Sequence, residues 1–409
     1  MSRSIAARNV GIFAGASLFA AAMLAVALTA CGGSDGPTGG HQGPVQAGRA
    51  PLNAVTCGAA KAVFTQSPIA VGDIIGWVPL GNMEPPGHTL PTDHQYIYVN
   101  NPESTAPRPT VNVYAPADII ITKGHLGTTT PGGTDYTVEF SPCAEVYAQF
   151  GHVRTIVPAI LSQLGNFDQF CNTYSPAPGS SVSTCETKSV AVSIHAGDLI
   201  GTVAGPDAES FALDFSLWDA RIPSLVYANS TRWPLSNDKF DSYHVVPASD
   251  YFTEPANSQI APHVGSFDGK TRRTALPIGG THAVDVVGTM MGFWFNDTQP
   301  SNPETPHLAF APDNVDPTHV TLSSGTSLPG WNRGRVTFMP VDTGLVNRSP
   351  AQITPDGHIY CFESPGSWVV LAQMIDANTV RVEYEQQRAF TCASAQPWAF
   401  TSAKFDYKR

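Results

Sequence analysis

Two histidines and an aspartate lie within seven residues, at His88, Asp93 and His94. A Pro-Pro-Gly turn at 85–87 precedes this cluster and a strand-like run at 95–99 follows it, so the backbone is constrained on both sides. Imidazole and carboxylate groups are both good zinc ligands. The cluster therefore predicts a divalent metal site. The alternative is that these side chains only cap the turn through hydrogen bonds.

A further carboxylate, Asp214, lies much later in the chain, within an otherwise apolar run at 211–218. If this run is a strand, Asp214 shares one face with Ser216, because successive side chains of a strand point to opposite sides. The large apolar side chains between them then form the buried face. A carboxylate in such surroundings normally has a partner, which is a metal, an arginine or the backbone. We therefore expect Asp214 to point toward a partner.

The elements that must position these residues are predicted to be strands. Short alternating runs separated by turn signals favour an all-β fold, and a charged fraction of 13%, compared with about 25% in an average protein, agrees with it. One helix is predicted over 158–165. Turn signals at 255–275 indicate two β domains, 56–260 and 261–409, of which the second is predicted to be an antiparallel sandwich or a small barrel.

The first thirty residues have the pattern of a secretion signal. Arg3 and Arg8 precede an apolar stretch at 11–27, which ends in Leu28-Thr29-Ala30-Cys31. That ending resembles a bacterial lipobox, so residues 1–30 are predicted to be removed and Cys31 to be acylated; the alternative is a transmembrane anchor. Residues 31–55 then form a flexible tether. Gly32 follows the cysteine, and by resemblance to Gram-negative lipoproteins this favours the outer membrane of the cell envelope.

The cysteine count agrees with an exported protein. Seven cysteines, less the acylated one, leave an even number, which predicts three disulfides. Cys171 and Cys185 flank one loop, and Cys361 and Cys392 are the pair in the C-terminal third. By elimination, Cys57 is left with Cys143. The absence of any CxxC pair argues against a zinc ribbon.

Other common functions find little support in the sequence. The formal net charge is −11 and no basic block is present, which argues against nucleic acid as a partner. The chain beyond the signal has no GxSxG nucleophile motif, no phosphate-binding loop and no dinucleotide fingerprint.

The order of several motifs over about 70–220 resembles that of lysostaphin/LytM-type zinc endopeptidases, which cut peptide cross-links of bacterial cell walls. The segments, in chain order, are His88…His94, Val113-Tyr114-Ala115-Pro116-Ala117-Asp118, Tyr147…His152, the glycine-rich turn at 196–205, and 211–215. The resemblance implies an antiparallel lysostaphin-type fold for 56–260. It also implies zinc as cofactor and peptidoglycan or another peptide as substrate.

The resemblance also implies roles for individual residues. His88, His94 and Asp214 would hold zinc, with Asp93 as an alternative to His94, and His152 would act in catalysis. The chain departs from the family pattern at the last motif, since Ala212 replaces the first histidine of HxH. Loss of one such polar group commonly lowers the rate by about 10²–10³-fold.

Three readings follow from this pattern. The first is a zinc metalloendopeptidase with an altered site. The second is a catalytically inactive pseudo-peptidase that binds envelope polymer or a partner protein. The third is a purely structural envelope lipoprotein.

Overall fold

The structure is a computed structural model that describes residues 53–409, with some positions excepted. These positions are 86, 105–107, 131–132, 175–180, 207–209, 231, 233–242, 298–303, 332, 365–368, 386–390 and 395. The predicted signal, Cys31 and most of the predicted tether lie outside the described residues. Within the described ranges, no helix combines the length and apolar character needed to cross a bilayer.

The protein is all-β, as predicted, and its first sheet is antiparallel with eleven strands. The strands are β1 (Gly76–Val78), β2 (Gln95–Tyr98), β3 (Thr110–Tyr114), β4 (Ile119–Thr130), β5 (Gly133–Cys143), β6 (Val146–Ile156), β7 (Gln169–Tyr174), β8 (Ser181–Glu186), β9 (Val192–Ile194), β10 (Leu199–Ala204) and β11 (Ala212–Asp219). Their main order is β1-β2-β11-β6-β5-β4-β8-β7, while β10 joins β3 to β6 and β9 pairs with β4. Strands that are distant in sequence, β2 and β11, are therefore neighbours.

One face of the first sheet packs on the larger hydrophobic core. Phe64, Trp77, Phe140, Phe150 and Phe215 are fully buried there. Helix α1 (Pro158–Leu164) buries two of its apolar side chains in the same core, as its sequence spacing predicts. Helix α2 (Ala256–Ile260) also contributes, and short 3-10 turns occur at Val71–Asp73, Ala248–Asp250, Ala261–His263 and Pro350–Gln352.

The C-terminal part contains two antiparallel sheets of four strands each. The first consists of β12 (Gly292–Trp294), β13 (Leu308–Pro312), β14 (Val320–Ser324) and β15 (Gly334–Phe338). The second consists of β16 (Tyr360–Glu363), β17 (Val369–Asp376), β18 (Thr379–Glu385) and β19 (Phe405–Lys408). Side chains from both sheets share one core, where the Phe310 and Phe362 rings lie 5.4 Å apart. The pair of sheets corresponds to the sandwich alternative.

A smaller core joins the two halves of the chain. Met83 and Leu90 flank the His88 segment and pack with four residues of the C-terminal half: Phe293, Phe295, Ala309 and Ala311. We call residues 83–85 and 87–94 the histidine turn. The boundary at 260/261 stays a prediction.

Three disulfides join the cysteines in the predicted pairs, Cys57–Cys143, Cys171–Cys185 and Cys361–Cys392. The first fastens the start of the described chain to the end of β5. The same N-terminal segment is also bound by Arg221, whose guanidinium donates to the Ala60 and Lys61 carbonyls at 2.7 and 3.1 Å. Residues 57–61 are therefore fixed to the sheet by one covalent bond and several hydrogen bonds.

Candidate metal centre

Asp214 lies in the middle of β11, between β2 and β6. It is opposite Tyr96 on one side and Gly151 on the other. Leu213 and Phe215 enter the core, so the predicted alternation of this strand is confirmed and Asp214 occupies the opposite face. We call this opposite face the site face. Gly151 approaches Asp214 closely, because a Cβ atom at 151 would lie 3.1 Å from the Asp214 Cβ and would force a small shift of that side chain.

A β-bulge brings His152 to the site face. Tyr136 of β5 is opposite Val153 of β6, whereas Val138 is opposite Phe150, so β6 has one extra residue over this stretch. His152 itself has a positive φ of 60°. Because of this local change in direction, its Nε2 lies 3.4 Å from Asp214 Oδ2.

An aspartate on β5 holds the other nitrogen of the same ring. His152 Nδ1 and Asp135 Oδ2 are 2.7 Å apart, a short contact for a hydrogen bond. A carboxylate at this position fixes the orientation of an imidazole and favours the proton on Nδ1. The Nε2 atom of His152 is thereby directed toward Asp214.

His94 makes the same two kinds of contact as His152, one with an aspartate that holds its Nδ1 atom and one with Asp214. It lies immediately before β2, its Nδ1 is 2.9 Å from Asp93 Oδ1, and its Nε2 is 3.7 Å from Asp214 Oδ2. Burial alone would raise the pKa of Asp93, but the hydrogen bond and charge of His94, with the charges of His282 and His88, hold it well below its usual range. Asp93 thus orients His94, which favours His94 over Asp93 as the ligand.

His88 is buried beside His94. The backbone of His88 pairs with that of Glu84 through hydrogen bonds of 2.7 and 3.2 Å, and the two imidazole ring centres are 5.2 Å apart. With zinc–nitrogen bonds of about 2.0–2.1 Å, two imidazoles on one tetrahedral zinc have ring centres about 5 Å apart. Among the described residues, the buried Nε2 of His88 has no hydrogen-bond partner. These observations fit a pair of zinc ligands.

His94 contacts Asp214 and lies beside His88, but the three candidate ligands do not converge closely. The described part of the chain holds a single group of three His, Cys, Asp or Glu residues whose ligand atoms all lie within 4.8 Å of one another, namely Cys57, Cys143 and Glu145. Its two cysteines form a disulfide, so that group is not a metal site. The set of His88, His94 and Asp214 is more open than a closed zinc site.

Sequence reasoning missed three polar residues around the site. Asp135 could have been found from strand alternation, since it shares a face with Glu139, opposite the buried Val138. Glu304 and His282 come from the C-terminal half, and no motif spacing indicates them.

Both of these C-terminal groups contact the histidine turn. Glu304 Oε2 accepts a hydrogen bond from the Leu90 N–H at 3.1 Å, and burial raises the pKa of Glu304 to about 7, opposed by the charge of His88. Burial lowers the pKa of His282, although the charge of Asp93 and hydrogen bonds to the backbone of residues 91 and 92 act in the other direction.

Ala212, which replaces the first histidine of the HxH motif, has apolar surroundings. Ala212 packs in a small buried cluster with Val78 and Tyr96. The side chain at position 212 is therefore a methyl group, which cannot transfer a proton.

Comparison with known proteins finds no family model, no curated protein and no solved structure that matches this chain. The likeness to lysostaphin/LytM-type endopeptidases thus stays a prediction that rests on motif order.

Proposed function

We propose that this protein is a cell-envelope lipoprotein whose first domain is a zinc metalloendopeptidase with an altered active site. One observation carries the proposal. The Nε2 atom of His94, a proposed ligand, lies 3.7 Å from Asp214 Oδ2, and Asp93 holds the Nδ1 atom of the same ring. Histidines that bind metals almost always have their second nitrogen fixed in this way.

His88, His94 and Asp214 are the proposed zinc ligands. The separation of 3.7 Å between His94 Nε2 and Asp214 Oδ2 is close to the ligand–ligand distance of about 3.4 Å in a tetrahedral zinc site. The buried His88 Nε2, without a hydrogen-bond partner among the described residues, would supply the third ligand atom. When bound, zinc lowers the pKa of a water ligand to about 7 and polarises a peptide carbonyl.

His152 is the proposed catalytic residue. Its Nδ1 proton is directed to Asp135, so Nε2 accepts or delivers a proton beside Asp214. This role differs from that of the ligands, because loss of His152 removes a proton-transfer group and leaves all three metal-binding side chains in place.

The proposed substrates are peptides of the cell envelope, such as peptidoglycan stems or glycine-rich chains. The motif order supports this class of substrate, and the signal pattern ending at Cys31 supports attachment by a lipid to the outer membrane of a Gram-negative bacterium.

A pseudo-peptidase that binds envelope polymer or a partner protein is the second candidate. Two observations favour it: the apolar packing of Ala212, and the open spacing of the three proposed ligands.

Metal content separates the candidates. The purified mature chain is expected to contain one equivalent of zinc, which His94→Ala and Asp214→Ala remove and which the exposed-site control His358→Ala retains. His152→Ala is expected to keep the zinc and to lose peptide release from purified peptidoglycan. A metal-free wild-type protein would refute the enzyme proposal. Stoichiometric zinc without peptide release from any substrate tested, but with retained binding to peptidoglycan, would favour the pseudo-peptidase.

A further inference from the structure

The C-terminal half contacts the histidine turn through apolar residues on both sides of His88. Met83 precedes His88 and Leu90 follows it, and both are almost completely buried against the β12–β13 region. Burial of one such side chain stabilises a structure by about 1.5–3 kcal/mol. The turn is therefore packed against strands β12 and β13 of the C-terminal half.

Polar contacts reach the turn at three successive points. Arg335 of β15 donates from Nη1 to the Met83 carbonyl at 2.9 Å and lies 3.5 Å from Glu84 Oε2. Glu304 accepts the Leu90 N–H, and His282 hydrogen-bonds to the backbone just beyond it. These contacts begin five residues before His88 and end two residues before His94.

Restraints from the N-terminal half act at the two ends of the turn, where Thr92 exchanges backbone hydrogen bonds of 3.1 and 3.0 Å with Gly81 and Asn82. The Glu84–His88 backbone pair closes its first part, and the next regular element is β2, which begins after His94. Between His88 and Thr92, the Leu90 N–H is bound by Glu304 of the C-terminal half.

We propose that the C-terminal half is part of the metal centre, with Arg335 and Glu304 as positioning residues that hold the histidine turn against Asp214. This inference rests on the proposed function for its metal readout. It assigns the C-terminal half a role different from that of a separate binding module, because Arg335 and Glu304 contact the histidine turn.

The test uses the purified mature chain and a cobalt titration, followed by the visible absorption of bound Co²⁺. Arg335→Gln and Glu304→Ala are each expected to weaken Co²⁺ binding about 10–100-fold, as loss of supporting contacts around metal ligands commonly does. The conservative variants Arg335→Lys and Glu304→Gln should restore most of the affinity and the wild-type spectrum. Arg381→Gln, which breaks a pair with Asp406 on β18 and β19, is the matched control and should bind like wild type.

Hydrogen exchange separates failure of this inference from failure of the proposed metal site. In Glu304→Ala, the Leu90 amide should exchange at least tenfold faster than in wild type while the thermal midpoint changes little. Wild-type Co²⁺ affinity in both positioning variants would overturn the inference. If the wild-type protein binds no Co²⁺, the metal site fails, and unchanged exchange of the turn amides would overturn the positioning role as well.

Discussion

The sharpest prediction concerns the pH dependence of stability through His307. This residue precedes β13 and is completely buried, with its ring edge-on to Phe295. Its Nδ1 accepts a hydrogen bond from the Asn296 N–H at 3.1 Å, so the neutral ring carries its proton on Nε2. A second proton would have to displace the Asn296 contact. Burial, reinforced by the charge of Arg232, lowers the pKa of His307 to about 4.

The sign of the effect follows from the two protonation equilibria. The unfolded chain binds a proton at His307 with a pKa of about 6.5, whereas the folded protein does so only near 4. The stability contributed by the neutral ring is therefore present above pH 6.5 and is lost as the pH falls toward 4. Between pH 7 and pH 5, this one residue lowers the free energy of unfolding by about 2 kcal/mol.

Urea unfolding at pH 7 and pH 5 measures this loss. His307→Gln keeps an acceptor for the Asn296 N–H and cannot titrate, so it should lose about 2 kcal/mol less than wild type between the two pH values. His358→Gln, at an exposed position, should behave like wild type. Equal losses in wild type and His307→Gln would refute the reasoning.

Three further predictions concern the site and the scaffold. Gly151→Ala places a methyl group against Asp214, so we expect a loss of about 1–3 kcal/mol in the free energy of unfolding together with weaker zinc binding; unchanged zinc affinity in a calorimetric titration would contradict this. Asp135→Asn removes the acceptor that fixes His152, so zinc content should be retained while peptide release falls by about 10²–10⁴-fold; an unchanged rate would contradict the role of Asp135. Replacing the cysteines of Cys57–Cys143 by serine opens a sequence separation of 86 residues and should cost about 4–5 kcal/mol, and this loss in urea unfolding should exceed that for either shorter disulfide loop.

Much of the fold could be predicted because its signals are local. The period of two in β11 is a property of neighbouring residues, so it placed Asp214 opposite the core. The disulfide of Cys57 and Cys143 followed from counting, since the other four cysteines paired over short separations.

The rest of the site depends on features that local patterns do not contain. His152 reaches Asp214 through a β-bulge, where it adopts a positive φ. Non-glycine residues seldom adopt this conformation, and the local sequence does not predict it. Glu304 lies 214 residues from its hydrogen-bond partner Leu90, and only the packing of the two halves brings them together. Strand alternation places Asp135 on the site face, but the contact with His152 follows only from the pairing of β5 with β6.

The disulfide at Cys57 has a mechanical consequence if the proposed lipid anchor holds the protein by its N-terminus. A pull on residues 1–52 enters the described structure next to Cys57, and the covalent bond transfers it to the end of β5, inside the sheet. The hydrogen bonds from Arg221 to residues 60 and 61 share that load. The strands would then be loaded together instead of being peeled from the edge strand β1 one hydrogen bond at a time. Under the proposed anchoring, the histidine turn would lie outside the path of the force between residue 57 and β5.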